Sequence, residues 1–144
     1  MSIIQDVTAQ AVIFFLAGFE TTSTALSFIT YTLTTHQDIQ DRLREEIQTV
    51  MEGHDVITYE LIAEMGYLDQ CINEALRLYP PVTRNERMCN EDWTYEGLTI
   101  EKGTVIGIPI FALQRDPRFW ENPEKFDPER YLFKFSCFLQ HTVF

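Results

Sequence analysis

An acid and an alcohol stand side by side in an apolar segment, and together they offer groups that could transfer protons. Glu20 and Thr21 follow an apolar run from Phe14 to Phe19. An unpaired charge in such a setting is costly to bury. If the segment is helical, the Thr21 hydroxyl can bond the carbonyl four residues earlier and loosen that turn, while Gly18 leaves a gap beside it. This combination suits proton delivery to a bound reactant.

A simpler interpretation of each chemical motif is also open. Glu20 could pair with a basic residue, because ion pairs on helix faces are common. Glu74 and Arg77 have the i,i+3 spacing of a solvated surface pair, which contributes roughly 0.2 to 0.5 kcal/mol. Arg130 can bind two carboxylate oxygens, yet it follows a turn signal and fits an exposed loop equally well.

Hydrophobic periodicity predicts that the first half of the chain is helical. No proline interrupts residues 4–35, which are predicted to form one long helix. Apolar positions ring its first half and predict burial on several sides. Residues 36–51 have a clear amphipathic pattern. Two shorter helices are predicted at 58–65 and 67–79, and a pair of prolines ends the second one.

The second half of the chain has the turn chemistry of short strands. Residues 93–95 and 98–100 flank Glu96-Gly97 and predict a hairpin, and 104–108 reads as a third strand. Four later prolines favour loop, with a turn or two of helix near 118–120. The predicted fold class is mainly α with a small β appendage, and no domain boundary is visible.

Composition excludes several classes of function. The net charge of −11 argues against a nucleic-acid partner, which needs clustered lysine and arginine. Three scattered cysteines and three isolated histidines predict neither a disulfide framework nor a metal-ligand cluster. The longest apolar run, residues 11–19, is about half of the roughly 18 residues that a transmembrane helix needs, so no such helix is predicted. No signal peptide is apparent either.

Four segments in collinear order resemble the cytochrome P-450 family of haem-thiolate monooxygenases. Residues 17–22, AGFETT, match the signature [AG]-G-x-[DE]-T-[TS] of the family's long central helix. Glu74-x-x-Arg77 matches its E-x-x-R motif. PERY at 128–131 looks like the P-x-R-[FW] motif, and ALQRDPRFWENPEKFDPERY at 112–131 is similar to the proline-rich meander. The residues within these motifs are most similar to those of the microsomal, xenobiotic-metabolising branch of the family in animals.

The resemblance covers residues 5 to about 132, with Gln114 where the family usually has histidine and Tyr131 where it has Phe or Trp. It implies an incomplete cytochrome P-450 fold: a long central helix, the E-x-x-R helix, short hairpin strands and a proline-rich meander. Residues 1–132 are therefore expected to form a partial haem-thiolate monooxygenase domain. Residues 133–144 are expected to be an atypical tail outside the family sequence.

The resemblance assigns roles on the side of the haem where oxygen reacts. Glu20 and Thr21 correspond to the family's acid and alcohol. There the hydroxyl stabilises dioxygen, and the acid relays protons for cleavage of the oxygen–oxygen bond. Ala17 and Gly18 would lie over the haem face, so the carboxylate would stand beside a loosened helix turn, the cofactor and its waters.

Further residues are assigned to the propionates and the substrate. Arg87 lies where the family places an arginine on a haem propionate, and Arg84 is a second candidate for the same role. Apolar walls would suit a hydrophobic substrate. The predicted edge of the substrate pocket consists of Ile13, Phe14, Ala17, Val82 and Thr83.

The resemblance also implies that Glu74, Arg77 and Arg130 form a buried triad with a structural role. Two arginines on one carboxylate leave a net positive unit, which needs further acceptors such as backbone carbonyls. Removing one partner of a buried pair costs about 3 to 5 kcal/mol. The triad is therefore expected to hold the Arg130 loop to the helix of Glu74.

The family's iron ligand is a cysteine in an F-x-x-G-x-R-x-C-x-G loop, which is expected shortly after Tyr131. The sequence FKFSCFL at 133–139 contains Cys137 but neither glycine nor arginine. We therefore expect the proximal cysteine and the membrane anchor to be absent from this chain. Alone, the chain is expected to bind haem poorly and not to hydroxylate.

Two main functional hypotheses follow. The first is a fragment of a haem-dependent monooxygenase that inserts one atom of O2 into a lipophilic small molecule. By the resemblance, it takes electrons from an NADPH-dependent reductase at the cytosolic face of the endoplasmic reticulum membrane. The alternative is a non-catalytic truncated product that is unstable or acts through protein association. An unrelated helical interaction module fits the periodicity but not the four ordered motifs.

Overall fold

The computed structural model describes residues 3–132, and these fall into two compact units, a division that the sequence patterns do not reveal. The first comprises 3–81 with 125–132, and the second comprises 82–124. The first unit is built from α1 (Ile3–Thr35), α2 (Gln37–Val50), α3 (Tyr59–Glu64), α4 (Gly66–Leu78) and a 3₁₀ helix (Pro128–Tyr131). The prediction of a mainly α fold is confirmed.

Helix α1 is the predicted long helix, but only its second half is packed. Thr32 is 2% exposed, and Ile29 and Leu33 border the hydrophobic core. Its first half, which we expected to be buried on several sides, is exposed at residues 4–19. That expectation is wrong for residues 3–132, because the residues that pack on α1 from α2 and α4 reach its C-terminal end.

The prediction that no helix could span a membrane also needs correction. The stretch Ile4–Thr35 is long and apolar enough to cross one, by length and composition. The sequence argument counted only an unbroken apolar run. Hydroxyls such as those of Thr8 and Thr30 donate to carbonyls of their own helix and add little polarity. The core helix of a soluble protein passes the same test, so this finding alone assigns no membrane.

The core of the first unit forms where α2 and α4 meet α1. The predicted amphipathic face of α2 places Leu43 at 5% exposure, where it packs with Tyr67 and Cys71 of α4. Burial of a side chain such as that of Leu43 stabilises the fold by roughly 1.5 to 3 kcal/mol. A second cluster joins Ala75 and Leu78. The apolar face of α4 therefore rests on the rest of the unit along its whole length.

The 3₁₀ helix of the first unit is tied to α4 by Phe126. This aromatic side chain is buried and belongs to the second core cluster, and its ring lies 5.1 Å from that of His36. Pro128, at the start of the 3₁₀ helix, is also buried. The proline-rich segment thus carries its own apolar anchors and returns the chain to α4.

The second unit contains two antiparallel strand pairs and a short helix. Strands β2 (Trp93–Tyr95) and β3 (Leu98–Ile100) pair as the predicted hairpin. Strand β4 (Val105–Ile108) is also as predicted, but it pairs with β1 (Asn85–Met88), which the sequence did not indicate. Helix α5 spans Ile110–Leu113. Residues 116–120 form a hydrogen-bonded turn instead of the expected helix.

Candidate functional site

Helix α4 presents an acid and a base on its buried side. Glu74 and Arg77 are 0% and 1% exposed, and they lie on the same helix as the buried Cys71 and Ala75. Arg77 Nε donates to Glu74 Oε2 at 2.8 Å, and its Nη2 donates to Oε1 at 2.9 Å. The pair is a bidentate, charge-assisted contact. It is not the solvated surface pair that the i,i+3 spacing alone left open.

A second arginine reaches the same carboxylate from the 3₁₀ helix. Arg130 Nε donates to Glu74 Oε1 at 3.2 Å, and the side chain of Arg130 is 12% exposed. The backbone N–H of Asp127 donates to that oxygen at 2.9 Å. Arg77 also donates to the carbonyl of Lys125 at 3.2 Å. One buried carboxylate thus binds two guanidinium groups and a backbone amide, and a backbone carbonyl accepts from the triad.

The ionic site is shielded from water, because Glu74 and Arg77 are buried. The same environment changes the pKa of Tyr131. Burial, and next the negative charge of Glu74, raise the pKa of the Tyr131 phenol to about 12. The positive charges of Arg77 and Arg130 oppose that shift. Removal of either type of charge would leave the other uncompensated in a desolvated place, which is the costly case for buried ions.

The acid and alcohol of α1 lie on an exposed part of the helix. Thr21 Oγ1 donates to the carbonyl of Ala17 at 2.7 Å, as its spacing predicted. Other hydroxyls of α1 make the same bond, for example Thr34 with the carbonyl of Thr30, so this geometry alone does not distinguish Thr21. The helix continues through the turn, and no break accompanies the expected loosening.

Glu20 does not incur the cost of burying an unpaired charge, because it is not buried. Its side chain is exposed, and within residues 3–132 its carboxylate forms no ion pair. The expected position of this carboxylate beside a cofactor and its waters stays a prediction. Beside it, a Cβ built on Gly18 would have no atom within 4 Å, so the predicted gap in this turn exists as open space.

The residues predicted to edge a substrate pocket are exposed in both units. In the first unit, Ile13 and Phe14 lie on the surface of α1 at 58% and 75% exposure. In the second, Val82 is 50% exposed, and Thr83 accepts a backbone hydrogen bond from Phe111. The assignment of these residues to one pocket stays a prediction.

The two candidate propionate ligands differ in how their charges are used. The Arg84 guanidinium pairs with Glu86 at 2.8 Å and lies over Gly107, where a Cβ would come within 2.9 Å of Arg84 Nη2. Arg87 donates to Asn85 Oδ1 and to the carbonyl of Glu86, both at 2.8 Å. Within residues 3–132, no carboxylate neutralises Arg87, which favours it over Arg84 as the residue that would bind an anion.

The family model of the cytochrome P450s, described as "Cytochrome P450", matches residues 3–143. That match spans nearly the whole chain, including the buried triad and the acid–alcohol turn. The chain belongs to the cytochrome P450 family. The match extends into residues 133–144, which lie outside the described residues, so the expected family boundary near 132 stays a prediction.

Curated mammalian P450s are similar to this chain over most of its length. Cytochrome P450 3A2 of Rattus norvegicus is 50% identical over 126 residues, and cytochrome P450 3A13 of Mus musculus is 49% identical over 126. Cytochrome P450 3A29 of Sus scrofa is 47% identical over 127. Each alignment covers 88% of the chain and 25% of the relative. The chain thus spans about a quarter of the length of these relatives, and the prediction of an animal-type P450 sequence is confirmed.

In the first unit of this P450 chain, the open space beside Gly18 and the exposed apolar surface of α1 would suit a flat macrocycle. In the second unit, the charge of Arg87 would suit a carboxylate. The free cysteines among the described residues are Cys71 and Cys89. Burial raises the pKa of the Cys71 thiol to about 12, so it is a poor thiolate. Cys89 donates its S–H to the carbonyl of Glu91 at 3.0 Å. Cys137 lies outside the described residues.

Within residues 3–132, no group of three or more His, Cys, Asp or Glu is arranged to hold a metal ion. Sequence reasoning also missed residues that surround the triad. The Lys125 carbonyl and the Asp127 amide carry no side-chain signal, so only the fold could reveal them. Arg42 and Glu46 of α2 contact the same region, and their i,i+4 spacing on one helix face was the available signal.

Proposed function

We propose that this chain forms part of a haem-dependent monooxygenase that inserts one atom of O2 into a lipophilic small molecule. The observation that carries the proposal is the buried ionic site of Glu74, Arg77 and Arg130 in a chain of the P450 family. The carboxylate of Glu74 is fully buried and is shared by two arginines that lie far apart in sequence. In the haem-thiolate family, the corresponding triad has a structural role near the proximal side of the cofactor.

When bound, haem would supply the activation of dioxygen, a chemistry that a thiolate ligand promotes. Ala17 and Gly18 would hold the macrocycle on the side of α1, and Arg87 would bind a propionate. The Thr21 hydroxyl would donate a hydrogen bond toward the reacting oxygen. Its alternative acceptor, the Ala17 carbonyl, lies on the same turn, so the hydroxyl can change partner by rotation about one bond.

Glu20 would deliver protons from solvent to that hydroxyl. Its exposure in the described residues gives it access to water, which a proton relay needs at one end. The apolar surface of Ile13 and Phe14 would contact the substrate, together with Val82 and Thr83. The electron donor would be an NADPH-dependent reductase, and the site of action the cytosolic face of the endoplasmic reticulum membrane, as in the microsomal branch of the family.

A non-catalytic role is the second candidate, and a specific observation favours it. Cys71 is buried and protonated, and the Cys89 thiol is engaged by a carbonyl, so the described residues present no open thiolate. A chain without such a ligand would act only through association with other proteins. The exposed apolar surface of α1 is suited to that role.

Absorbance of the ferrous–CO complex separates the two candidates. The 144-residue chain, produced with haem, is expected to lack the band of a thiolate-ligated complex. A chimera that carries residues 3–132 in place of the matching segment of the rat relative is expected to have it. If the isolated chain has the band and the variant Cys137→Ser loses it, Cys137 is the ligand and the expectation that the isolated chain binds haem poorly is wrong.

Product formation by the same chimera tests the roles of the residues. Thr21→Val is expected to keep the CO band and to lower product formed per NADPH consumed. Thr22→Val is the matched control, because it removes a neighbouring exposed hydroxyl from the same helix. A chimera without the CO band, despite an intact Glu74, would contradict the proposed function and leave the association role.

A further inference from the structure

Two residues of α2 that no motif includes contact the two elements that carry the buried ionic site. Arg42 and Glu46 are four residues apart, so they lie on one face of the helix. The site itself combines α4, which carries Glu74 and Arg77, with the 3₁₀ helix, which carries Arg130. From that face of α2, Glu46 contacts α4, and Arg42 contacts both α4 and the 3₁₀ helix.

Glu46 caps the beginning of α4. The N-cap residue of this helix is Met65, whose side chain makes no capping hydrogen bond. The N–H groups of the first helical turn need an acceptor. Glu46 supplies it from the neighbouring helix: Oε1 accepts from the Tyr67 N–H at 2.7 Å, and Oε2 accepts from the Leu68 N–H at 2.9 Å. A carboxylate at a helix N-terminus is also favoured by the helix dipole.

Arg42 contacts the 3₁₀ helix and α4 at the same time. Its guanidinium donates to the carboxylate of Glu129, the residue next to Arg130. Its Cζ also lies 4.1 Å from the centre of the Tyr67 ring, a cation–π distance. The backbone of Tyr67 is the group that Glu46 holds. A continuous set of contacts therefore runs from Glu46 through Tyr67 and Arg42 to the turn of Arg130.

We infer that Arg42 is a positioning residue that holds Arg130 against Glu74, and that Glu46 supports it by fixing Tyr67 beneath the Arg42 guanidinium. Arg77 and Arg130 reach Glu74 from different elements. Arg77 is fixed by its own helix and by two bonds to Glu74. Arg130 comes from a four-residue 3₁₀ helix. The importance of this arrangement for the haem side rests on the proposed function, but the arrangement itself does not.

Solvent exchange of the arginine Nε–H protons tests the inference in the 144-residue chain. The Nε–H of Arg130 and that of Arg77 both donate to Glu74, so NMR of the ¹⁵N-labelled chain reads each arm separately. Arg42→Gln is expected to speed exchange at Arg130 about five-fold, since an exposed ion pair and a cation–π contact are each of modest strength. Exchange at Arg77 and at the buried Leu43 amide is expected to stay unchanged.

Matched controls come from the same helix. Arg44 pairs with Asp41 on α2 itself, so Arg44→Gln removes the same charge and is expected to leave Arg130 unchanged. Glu46→Gln is expected to speed exchange of the Tyr67 and Leu68 amides about ten-fold and to raise exchange at Arg130 about two-fold. The exposed neighbour variant Glu45→Gln is expected to do neither.

Equal exchange at Arg130 in Arg42→Gln and Arg44→Gln would overturn the inference. So would a matching increase at the Leu43 amide, because that pattern indicates loss of overall stability. If Arg42→Gln fails to fold, Arg42→Lys keeps the ion pair and loses the stacking on Tyr67. It is expected to raise exchange at Arg130 about two-fold, and no rise relative to Arg44→Lys would overturn the inference. Neither result bears on the ferrous–CO test, so the two proposals can fail independently.

Discussion

At the scale of single residues, the decisive group is the carboxylate of Glu74. It is fully buried, yet its oxygens accept from Arg77, Arg130 and the Asp127 amide. Burial of an ion is costly unless its charge and its lone pairs are satisfied. Here both conditions are met, and the same bonds join α4 to the 3₁₀ helix. The bonds of Glu74 thus offset the cost of burying its charge, and they attach the 3₁₀ helix to α4.

Glu74→Gln is expected to lower the free energy of unfolding by about 3 to 5 kcal/mol, because two guanidinium groups lose their buried counter-charge. Urea denaturation followed by circular dichroism measures this. Glu45→Gln removes an exposed acid from the first unit and is expected to stay within about 0.5 kcal/mol of the original chain. A loss below about 1 kcal/mol for Glu74→Gln would mean that the site is hydrated in solution.

Burial of Cys71 makes the fold sensitive to alkaline pH. The pKa of its thiol rises from 9.0 to about 12, chiefly through burial and next through the charge of Glu46. The folded chain then holds a proton that the unfolded chain has released. The contribution of Cys71 to the free energy of unfolding is therefore complete below pH 9. Between pH 9 and pH 12 it falls by about 1.4 kcal/mol per pH unit.

Urea unfolding between pH 8 and pH 11 measures that slope. Tyr131, whose pKa is raised from 10.0 to about 12, adds to the fall above pH 10. Cys71→Ala is expected to remove the part that begins near pH 9, whereas Cys89→Ala is expected to keep it. An unchanged slope in Cys71→Ala would show that another group titrates.

At the scale of elements, the second unit contains one strand pair that a local turn determines and one that depends on pairing between distant segments. The β2–β3 hairpin follows from its two-residue turn, because Glu96 and Gly97 have φ values of 48° and 83°, as in a type I′ turn. Strand β1 has no such signal. It forms because β4 supplies its hydrogen-bond partners, which lie about twenty residues further along the chain.

Substitutions in the turn are expected to act in opposite directions. Gly97→Ala places a Cβ at a positive φ and is expected to destabilise the hairpin by about 1 kcal/mol. Glu96→Asn replaces a residue that tolerates this region poorly with one that adopts it readily, and is expected to stabilise it by a few tenths of a kcal/mol. Exchange of the Ile100 amide reports both changes. Equal effects of the two variants would rule out a type I′ turn in solution.

At the scale of the whole molecule, the chain matches about a quarter of its relatives' length, and its longest helix bears much exposed apolar surface. Phe14, Phe15 and Phe19 of α1 are all more than 60% exposed. Apolar patches of this extent are uncommon on monomeric soluble proteins and promote association. The second half of the same helix is packed, so α1 joins a folded core to an apolar surface that no other part of residues 3–132 covers.

The isolated chain is accordingly expected to self-associate through α1. Phe14→Lys is expected to weaken association by about ten-fold, because burial of a phenylalanine contributes roughly 1.5 to 3 kcal/mol. Sedimentation velocity over a concentration series measures this. Gln10→Lys adds the same charge to an exposed polar position of α1 and serves as the control. If both variants weaken association equally, net charge is responsible instead of the apolar surface.

The sequence by itself determined the features that depend on near neighbours. The periodicity of Ile39, Leu43 and Ile47 fixed α2 and its buried face, and Glu96-Gly97 fixed the hairpin, because helical and turn hydrogen bonds close within a few residues. Four motifs in collinear order were sufficient to identify the family. The spacing of Thr21 even determined its bond to the carbonyl of Ala17.

Only the tertiary structure decided which charges are buried and which groups meet. Arg130 lies 56 residues from Glu74 along the chain, and Arg42 lies 87 residues from Glu129. No local rule distinguishes such residues from solvated surface charges. The exposure of Glu20 and of the first half of α1 was decided in the same way. Burial and ion pairing depend on what packs across the fold, and that packing is a property of distant segments brought together.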